Sequence, residues 1–248
     1  ESKAIIKFIT PFKILNLIKL YLSFIFSRIG NNAFILGQPF ALSIEPTTSC
    51  NLGCPECPSG LKQFSRKTGN LTIELNNKII DQLQKNLTYI NYYFQGEPYI
   101  NPNFFDFVKY ANSKKIFCST STNGHFLSDK NCKKTIESGL KRLIISIDGN
   151  DQESYEQYRK KGKYEQVIRG SKNIIKWKKE LNSQYPHVIF QFLVVRPNEH
   201  LIDEIKTISK EIGIDEFRIK TAQFYEFKNG NPLMPKNKKY SRYIKKKN

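Results

Sequence analysis

The stretch PFALSIEPTTSCNLGCPECP, residues 39–58, joins an alternating segment to a close group of thiols. Phe40, Leu42 and Ile44 alternate with small or polar residues, a period of two that predicts a strand. Three cysteines follow in the next loop: Cys50, Cys54 and Cys57. Because ligands of parallel α/β folds collect in the loops that follow strands, this position indicates a functional site.

Strand and helix patterns alternate six times along the chain. The strand candidates are short and rich in apolar, β-branched or aromatic residues: 39–46, 89–98, 115–124, 142–149, 188–195 and 216–222. The helix candidates show apolar residues every three or four positions: 73–83, 103–111, 132–138, 164–180 and 201–212. No hairpin signal separates the strands, so we expect a parallel sheet covered by helices, either doubly wound or a barrel.

The charge of the chain limits its partners. Forty Lys and Arg residues against 22 Asp and Glu give a net charge of +18, which favours nucleic acid, anionic lipid or an acidic electron carrier. The lysines are spread along the whole chain and no basic stretch is interleaved with aromatic residues, so we expect a solvated basic surface rather than a nucleic-acid interface. The odd number of cysteines argues against a secreted disulfide framework and favours a cytoplasmic metal or redox protein.

An amphipathic helix is predicted near the start of the chain, over residues 12–29. Pro11 and Gly30 are typical helix boundaries. Polar residues recur every three or four positions and leave a broad apolar face: Lys13, Asn16, Lys19, Ser23 and Ser27. Lys19 and Arg28 interrupt the apolar run, so it is too short to span a bilayer. We expect this helix to pack on the main domain, with peripheral contact to a membrane as the alternative.

The cysteine spacing favours an iron–sulfur cluster over the other uses of three thiols. A zinc site needs a fourth ligand, and the three histidines are distant in sequence: His125, His187 and His200. A redox pair usually opens a helix, whereas Pro58, Ser59 and Gly60 favour a loop after Cys57. Three thiolates can bind three irons of a cubane and leave the fourth without a protein ligand. Cys118 and Cys132 are expected to be buried structural residues.

The cysteine loop and three later motifs resemble the radical S-adenosylmethionine (radical SAM) superfamily. EPTTSCNLGCPECP is similar to the signature loop of that superfamily, and QGEP (95–98), STNG (121–124) and SIDG (146–149) are similar to its motifs after the second, third and fourth strands. The loop form and YRKKGKYEQVIRG (158–170) resemble most the SPASM-type branch, which includes sulfatase-maturating and peptide-modifying enzymes. The resemblance covers about residues 40–225 and implies a partial (β/α)6 TIM-like barrel.

The resemblance also implies cofactors and a reaction. A 4Fe–4S cluster on Cys50, Cys54 and Cys57 would cleave S-adenosylmethionine reductively, and the 5′-deoxyadenosyl radical would abstract hydrogen from a peptide or small-molecule substrate. An acidic flavodoxin or ferredoxin would supply the electron. The residues implied in binding S-adenosylmethionine are Gly96, Glu97, Pro98, Thr122, Asn123, Ser146, Asp148, Arg159 and Arg169. Barrel-facing Gln191, Arg196 and Lys220 could face substrate or the lumen wall.

Three departures from the family pattern qualify these expectations. Glu56 stands where many relatives have an aromatic residue, and Gln95 replaces the first glycine of a Gly-Gly pair. The SPASM branch carries a cysteine-rich C-terminal extension, but no cysteine follows Cys132. We therefore expect three segments: an amphipathic helix and linker (1–38), a barrel (39–227) and a basic tail (228–248) that begins a truncated extension. The competing functions are a non-catalytic zinc or iron–sulfur module and a radical SAM enzyme that modifies nucleic acid or works at a membrane.

Overall fold

The computed structural model describes residues 5–243. The first four residues of the predicted N-terminal segment and the last five of the predicted tail therefore lie outside the described residues.

Six parallel strands form one sheet in which spatial order equals chain order. Their bounds are β1 Ala41–Ser43, β2 Tyr89–Asn91, β3 Phe117–Thr122, β4 Arg142–Ser146, β5 His187–Val194 and β6 Glu216–Thr221. Each strand pairs with its successor, for example Ile145 of β4 with Phe190 of β5. A doubly wound sheet would reverse its strand order at a switch point, so this order is that of a barrel. Among the described residues β1 and β6 each pair on one side alone, which leaves the barrel partial.

Eight α-helices lie wholly within the described part of the chain. They are α1 Pro11–Gly30, α2 Pro58–Leu61, α3 Ile73–Leu83, α4 Phe104–Ser113, α5 Asp129–Glu137, α6 Gln152–Tyr158, α7 Tyr164–Glu180 and α8 Ile202–Ile212. Thr72, Ser128 and Asp151 cap the starts of α3, α5 and α6 through their side-chain oxygens. The prediction of a loop after Cys57 is wrong: Pro58 stands at the first helical position, where its fixed φ is suited, and one turn of helix forms.

The core lies between the sheet and the outer helices. Strands β3 to β5 are buried on both faces, which explains their nearly continuous apolar sequences. Ile80 of α3, Phe107 of α4, Val167 of α7 and Ile205 of α8 pack onto this sheet without solvent exposure. Cys118 and Cys132 are fully buried in the same core, as expected of structural cysteines.

Helix α1 lies against the amino-terminal end of the sheet, but by the face opposite to the expected one. An amphipathic helix packed on a domain should bury its apolar face, whereas the buried residues of α1 are the polar Lys13, Asn16 and Ser23. The helix packs through its polar face because these polar groups find backbone partners elsewhere in the chain; Lys13 Nζ, for example, donates to the carbonyl oxygen of Lys115 at 2.6 Å. Within residues 5–243 no helix is long and apolar enough to cross a membrane.

The predicted basic tail is packed as far as it is described. Leu233, Met234 and Tyr243 contact an apolar cluster built from Leu52 of the cysteine loop and Phe224. The Tyr243 hydroxyl donates to the carbonyl oxygen of Phe224 at 3.0 Å. These contacts hold the segment after β6 against the cysteine loop. The sequence of this segment lacks periodicity because its structure is irregular, not because it is a free linker.

Candidate active site

A cavity of about 240 Å³ opens at the carboxyl ends of the strands. The three predicted thiols line it together with the loops that follow β2, β3 and β4. The lining residues are Cys50, Leu52, Cys54, Cys57, Ser59, Tyr93, Phe94, Gln95, Gly96, Glu97, Ser121, Thr122, Asn123, Ser146, Tyr158, Arg159, Gln191, Leu193 and Lys220. Four motifs separated by up to about a hundred residues of sequence thus meet in one space, as the parallel topology requires.

The cysteine loop is held in a tight fold by backbone hydrogen bonds within the loop and to Lys160. The amide of Gly53 donates to the carbonyl oxygen of Lys160 at 2.9 Å, and the amide of Cys57 donates to that of Cys54 at 3.3 Å. Gly60 packs so closely on this turn that a Cβ atom would lie 2.5 Å from the nitrogen of Cys54. Glycine is therefore required at residue 60 by close backbone approach, not by an unusual φ.

Burial of two of the thiols, Cys50 and Cys54, disfavours their ionised form. Burial raises the pKa of Cys50 to about 11 and also raises the pKa of Cys54. A positively charged group at the cavity would reverse this shift and stabilise the thiolates. Within the described residues, no three side chains of His, Cys, Asp or Glu are grouped to hold one metal ion. Thiolates that bind different irons of a cluster do not have to converge on one point.

Gln95 and Gly96 connect the β2 loop to the cysteine loop. The side-chain oxygen of Gln95 accepts hydrogen bonds from the Cys57 thiol at 3.3 Å and the Ser59 hydroxyl at 3.1 Å. The amide of Gly96 donates to the Ser59 hydroxyl at 2.8 Å. Gly96 has a φ of +77°, and a Cβ there would lie 2.1 Å from the carbonyl oxygen of Thr47, so no other residue fits. Gln95 stands where the family pattern has a glycine, and its side chain positions Cys57 instead of leaving that volume open.

Glu97 is a buried carboxyl group held by the neighbouring strand end. It accepts hydrogen bonds from the Thr122 hydroxyl and the Asn123 amide, both at 2.7 Å. Its residue is only 2% exposed, and burial raises its pKa to about 7, although these donors and Arg159 oppose the shift. A cationic group entering the cavity would favour the ionised carboxylate.

Asn123 links the loop after β3 to the cysteine loop. Its side-chain amide donates to the Asn51 oxygen at 2.7 Å and lies 3.8 Å from the sulfur of Cys50. His125 fixes the turn, because its Nε2 accepts a hydrogen bond from the Lys163 amide at 2.8 Å. Hydrogen bonds from segment 122–124 therefore hold the edge of the cysteine loop in place.

Asp148 and Arg159 form an ion pair beneath the cysteine loop. The Asp148 side chain is fully buried, that of Arg159 is 15% exposed, and Nε of Arg159 donates to Asp148. Asp148 also accepts from the Leu193 amide at 2.7 Å, while the guanidinium lies 3.9 Å from the sulfur of Cys54. Burial raises the pKa of Asp148 above its ordinary value even though Arg159 opposes the rise. The pair places one cationic side chain between the sheet and the thiols.

The structure separates the other predicted residues. Ser146 lines the cavity, whereas Asp148 lies beneath it and Pro98 opens a short 3-10 turn behind it. Arg169 is exposed in a different groove, beside His125 and Asn173, so of the two arginines only Arg159 lines the cavity. Gln191 and Lys220 line the cavity as well, but Arg196 donates to the carbonyl oxygen of Met234 outside it.

Sequence reasoning missed several aromatic and hydroxyl groups at the cavity: Ser59, Tyr93, Phe94 and Tyr158. Tyr93 and Phe94 directly precede the QGEP motif, so their position after β2 could have indicated that they line the cavity. Tyr158 ends α6 and is the first residue of the quoted segment 158–170, which was a usable signal as well. Glu56 lies on the outer side of the loop, where it accepts a hydrogen bond from the Asn231 amide at 3.0 Å.

Comparison with known proteins identifies the family. Residues 44–180 match the radical SAM superfamily. Mycofactocin maturase MftC of Mycolicibacterium smegmatis is 26% identical over 178 residues, 72% of this chain and 43% of that protein. The PqqA peptide cyclase of Bradyrhizobium diazoefficiens is 23% identical over 207 residues, 83% of this chain and 53% of that protein. The chain thus spans about half the length of these curated relatives.

The solved structures agree with this family in their fold. SuiB from Streptococcus suis, in a crystal structure bound to S-adenosylmethionine, superposes with a TM-score of 0.65 at 16% identity, over 87% of this chain and 47% of SuiB. Radical SAM enzymes combine a 4Fe–4S cluster with S-adenosylmethionine, and the match extends from Ile44, directly after β1, through the cysteine loop to the end of α7. This chain belongs to the radical SAM superfamily.

Proposed function

We propose that this chain binds a 4Fe–4S cluster through Cys50, Cys54 and Cys57 and modifies a peptide or protein substrate by radical chemistry. The observation that carries the proposal is the meeting of these three thiols with the QGEP, STNG and SIDG strand ends around one cavity. When bound, the reduced cluster supplies the electron that cleaves S-adenosylmethionine and yields a 5′-deoxyadenosyl radical for hydrogen abstraction.

The thiol chemistry suits a cluster better than a single zinc ion. Burial raises the pKa of Cys50, so the thiolates need a compensating positive charge, which iron supplies. A structural zinc site would require a fourth protein ligand close to the sulfurs. Three cysteines at the mouth of a cavity instead leave room for a cofactor at the remaining iron.

The other cavity groups bind and orient S-adenosylmethionine in this proposal. Glu97 and the backbone of Gly96 receive the amino group of its methionine moiety, while Pro98 starts the 3-10 turn behind them. Ser146 and the Thr122–Asn123 turn face its ribose, and Arg159 supplies the cation for its carboxylate while Asp148 fixes the guanidinium. Arg169 has no part, because its side chain is exposed in another groove.

A peptide is the substrate class that we favour. One relative is named a peptide cyclase. Tyr93, Phe94, Gln191 and Lys220 line the cavity beyond the thiols and give it apolar, amide and cationic groups. Such a mixed wall can hold a peptide backbone and its side chains, whereas a small-molecule substrate would use fewer of these groups.

Two partners complete the proposal. The net charge of +18 favours docking of an acidic electron donor such as a flavodoxin or ferredoxin. Contact with a membrane through residues 12–29 rests on the exposed apolar side chains of α1. The electron donor would approach the cavity side, where the thiols lie, whereas a membrane would contact α1.

Anaerobic reconstitution with iron and sulfide tests the catalytic part. After addition of dithionite and S-adenosylmethionine we expect 5′-deoxyadenosine and methionine. Cys50→Ala, Cys54→Ala and Cys57→Ala should each abolish the product, whereas Cys118→Ala, the matched control, should keep it. Stoichiometric zinc without cluster or product would contradict the proposal, and turnover of small metabolites but no peptide would contradict its substrate class.

A further inference from the structure

The outward face of α1 is apolar and solvent-exposed. Its side chains opposite the buried polar stripe include Ile14, Ile18, Tyr21 and Ile29, which are between 50% and 78% exposed. Fifteen of the 22 exposed large hydrophobic side chains among the described residues fall within residues 6–40. An apolar patch of this density on a protein surface marks an interaction site.

This orientation of α1 is fixed by specific hydrogen bonds. Asn16 donates to the carbonyl oxygen of Gln38 and accepts from the Gln38 amide, both at 2.8 Å. Ser23 accepts from the Leu36 amide at 2.8 Å, and Ser27 accepts from the Phe34 amide at 2.9 Å. The chain that returns from α1 towards β1 therefore covers the polar stripe of the helix. Rotating α1 to bury its apolar face would break all of these bonds.

The returning segment extends the apolar surface instead of covering it. Phe34, Ile35, Leu36 and Phe40 are between 44% and 79% exposed. We call residues 12–40 the N-terminal apolar surface. Its helix is about 30 Å long at 1.5 Å per residue, which suits a helix that lies along an interface.

The charged residues of the N-terminal segment itself are all basic. Residues 2–44 contain four lysines and one arginine and no acidic residue. At 100° per residue, Lys19 stands near one border between the buried polar stripe and the exposed apolar face, whereas Arg28 stands within that apolar face, between Leu17 and Tyr21. Both residues are exposed. Long cationic side chains beside exposed apolar groups can reach anionic headgroups while their stems stay among those groups.

The surface lies at the end of the barrel opposite the cavity. Lys13 contacts Lys115, which precedes β3, and Asn16 contacts Gln38, which precedes β1. Phe8 packs edge-on against Phe117, the first residue of β3, with ring centroids 5.7 Å apart. The thiols instead follow the carboxyl ends of the strands. A planar partner on the N-terminal apolar surface would therefore leave the cavity mouth open to solution.

We infer that the N-terminal apolar surface binds the headgroup region of an anionic lipid bilayer, with α1 parallel to the membrane plane and the cavity facing the aqueous phase. This inference rests on the membrane part of the proposed function and adds the lipid class and the orientation. It implies that the substrate and the electron donor reach the cavity from solution. Basic residues beside exposed aliphatic and aromatic side chains match a surface of anionic headgroups over acyl chains.

Vesicle flotation of the full chain without its cluster tests the inference independently of catalysis. We expect binding to vesicles of mixed phosphatidylcholine and phosphatidylglycerol and at least roughly tenfold weaker binding to pure phosphatidylcholine. The triple variant Ile14→Gln, Ile18→Gln and Leu22→Gln should lose at least roughly thirtyfold in partition coefficient. Its matched control replaces exposed apolar residues elsewhere, Leu75→Gln, Leu181→Gln and Ile219→Gln, and should bind like the wild type.

A second variant and a second readout guard against misfolding. Lys19→Gln with Arg28→Gln should weaken binding to the anionic vesicles but leave the circular dichroism spectrum unchanged. Hydrogen exchange on vesicles should slow in residues 12–40 and stay unchanged in the loops 50–60 and 93–97. Equal binding of the triple variant, or protection at the cavity loops, would overturn the inference. So would a wild-type dimer that ignores vesicles and dissociates in the triple variant, because the surface would then join two copies.

Discussion

Replacing Arg159 by Gln should destabilise the cluster-free protein by leaving Asp148 without its cation. Asp148 is fully buried, and breaking a buried pair by removing one partner costs about 3–5 kcal/mol. Asp148 keeps its hydrogen bond from the Leu193 amide, and the charge of Lys220 still favours its ionised form. We therefore expect the lower end of that range, about 3 kcal/mol at pH 8.

The loss should depend on pH in one direction. Burial already raises the pKa of Asp148 above its ordinary value, and without Arg159 this pKa rises further. A carboxyl group whose pKa is higher in the folded state contributes stability at low pH and loses it as the pH rises through the folded pKa. The deficit of Arg159→Gln should therefore shrink to about 1 kcal/mol near pH 5.

Urea unfolding followed by circular dichroism under reducing conditions measures this difference. With a slope of about 3 kcal/mol per molar urea for a chain of this size, the midpoint should fall by about 1 M at pH 8. Arg169→Gln, which removes an exposed arginine, should leave the midpoint unchanged. Asp148→Asn combined with Arg159→Gln should recover most of the loss. A loss that is equal at both pH values, or no recovery in the double variant, would refute the role of a buried charge pair.

Three further perturbations test other parts of the structure. Gly60→Ala should lower the free energy of unfolding by about 2–4 kcal/mol and block cluster assembly, because its Cβ would meet the Cys54 backbone. Gly69→Ala, where a Cβ has open space, should change the unfolding midpoint little. Equal effects of the two substitutions would contradict this packing. Asn16→Ala should lower the melting temperature by about 2–6 °C because it removes two hydrogen bonds to Gln38. Replacing the exposed Asn32 by Ala should leave the melting temperature unchanged. A shift of the same size in both variants would contradict the role of the Asn16–Gln38 hydrogen bonds. Burial raises the pKa of Glu97 from 4.5 to about 7, so the stability of the cluster-free wild type should fall by up to about 3 kcal/mol between pH 5 and pH 8; the fall should become smaller in Glu97→Gln, leaving the part due to Asp148, and an undiminished fall there would assign it to another group.

Most of the barrel was predictable because its strands are either alternating or buried on both faces. Residues 142–149 and 188–195 are apolar runs of strand length, and the motifs that follow such strands must meet at one end of a parallel sheet. The choice between Arg159 and Arg169 was not predictable. It depends on α6, a helix with little apolar periodicity whose last turn brings Arg159 back to Asp148.

The orientation of α1 could not be predicted for a different physical reason. Periodicity separates a polar from an apolar face, but it does not say which face finds partners in the rest of the chain. The backbone of residues 34–38 supplies hydrogen-bonding partners for Asn16, Ser23 and Ser27 at a spacing that only the folded return segment creates. The packed tail after β6 is a similar case, because Leu233 and Tyr243 carry no regular pattern.

In the proposed function, three thiolates hold a cluster and leave one iron open to S-adenosylmethionine. Electron paramagnetic resonance of the dithionite-reduced, reconstituted protein tests it most directly. We predict a 4Fe–4S signal that shifts when S-adenosylmethionine is added and that is absent in Cys50→Ala, Cys54→Ala and Cys57→Ala but retained in Cys118→Ala. A signal that S-adenosylmethionine leaves unchanged, or a cluster that persists without one of these three cysteines, would contradict the account.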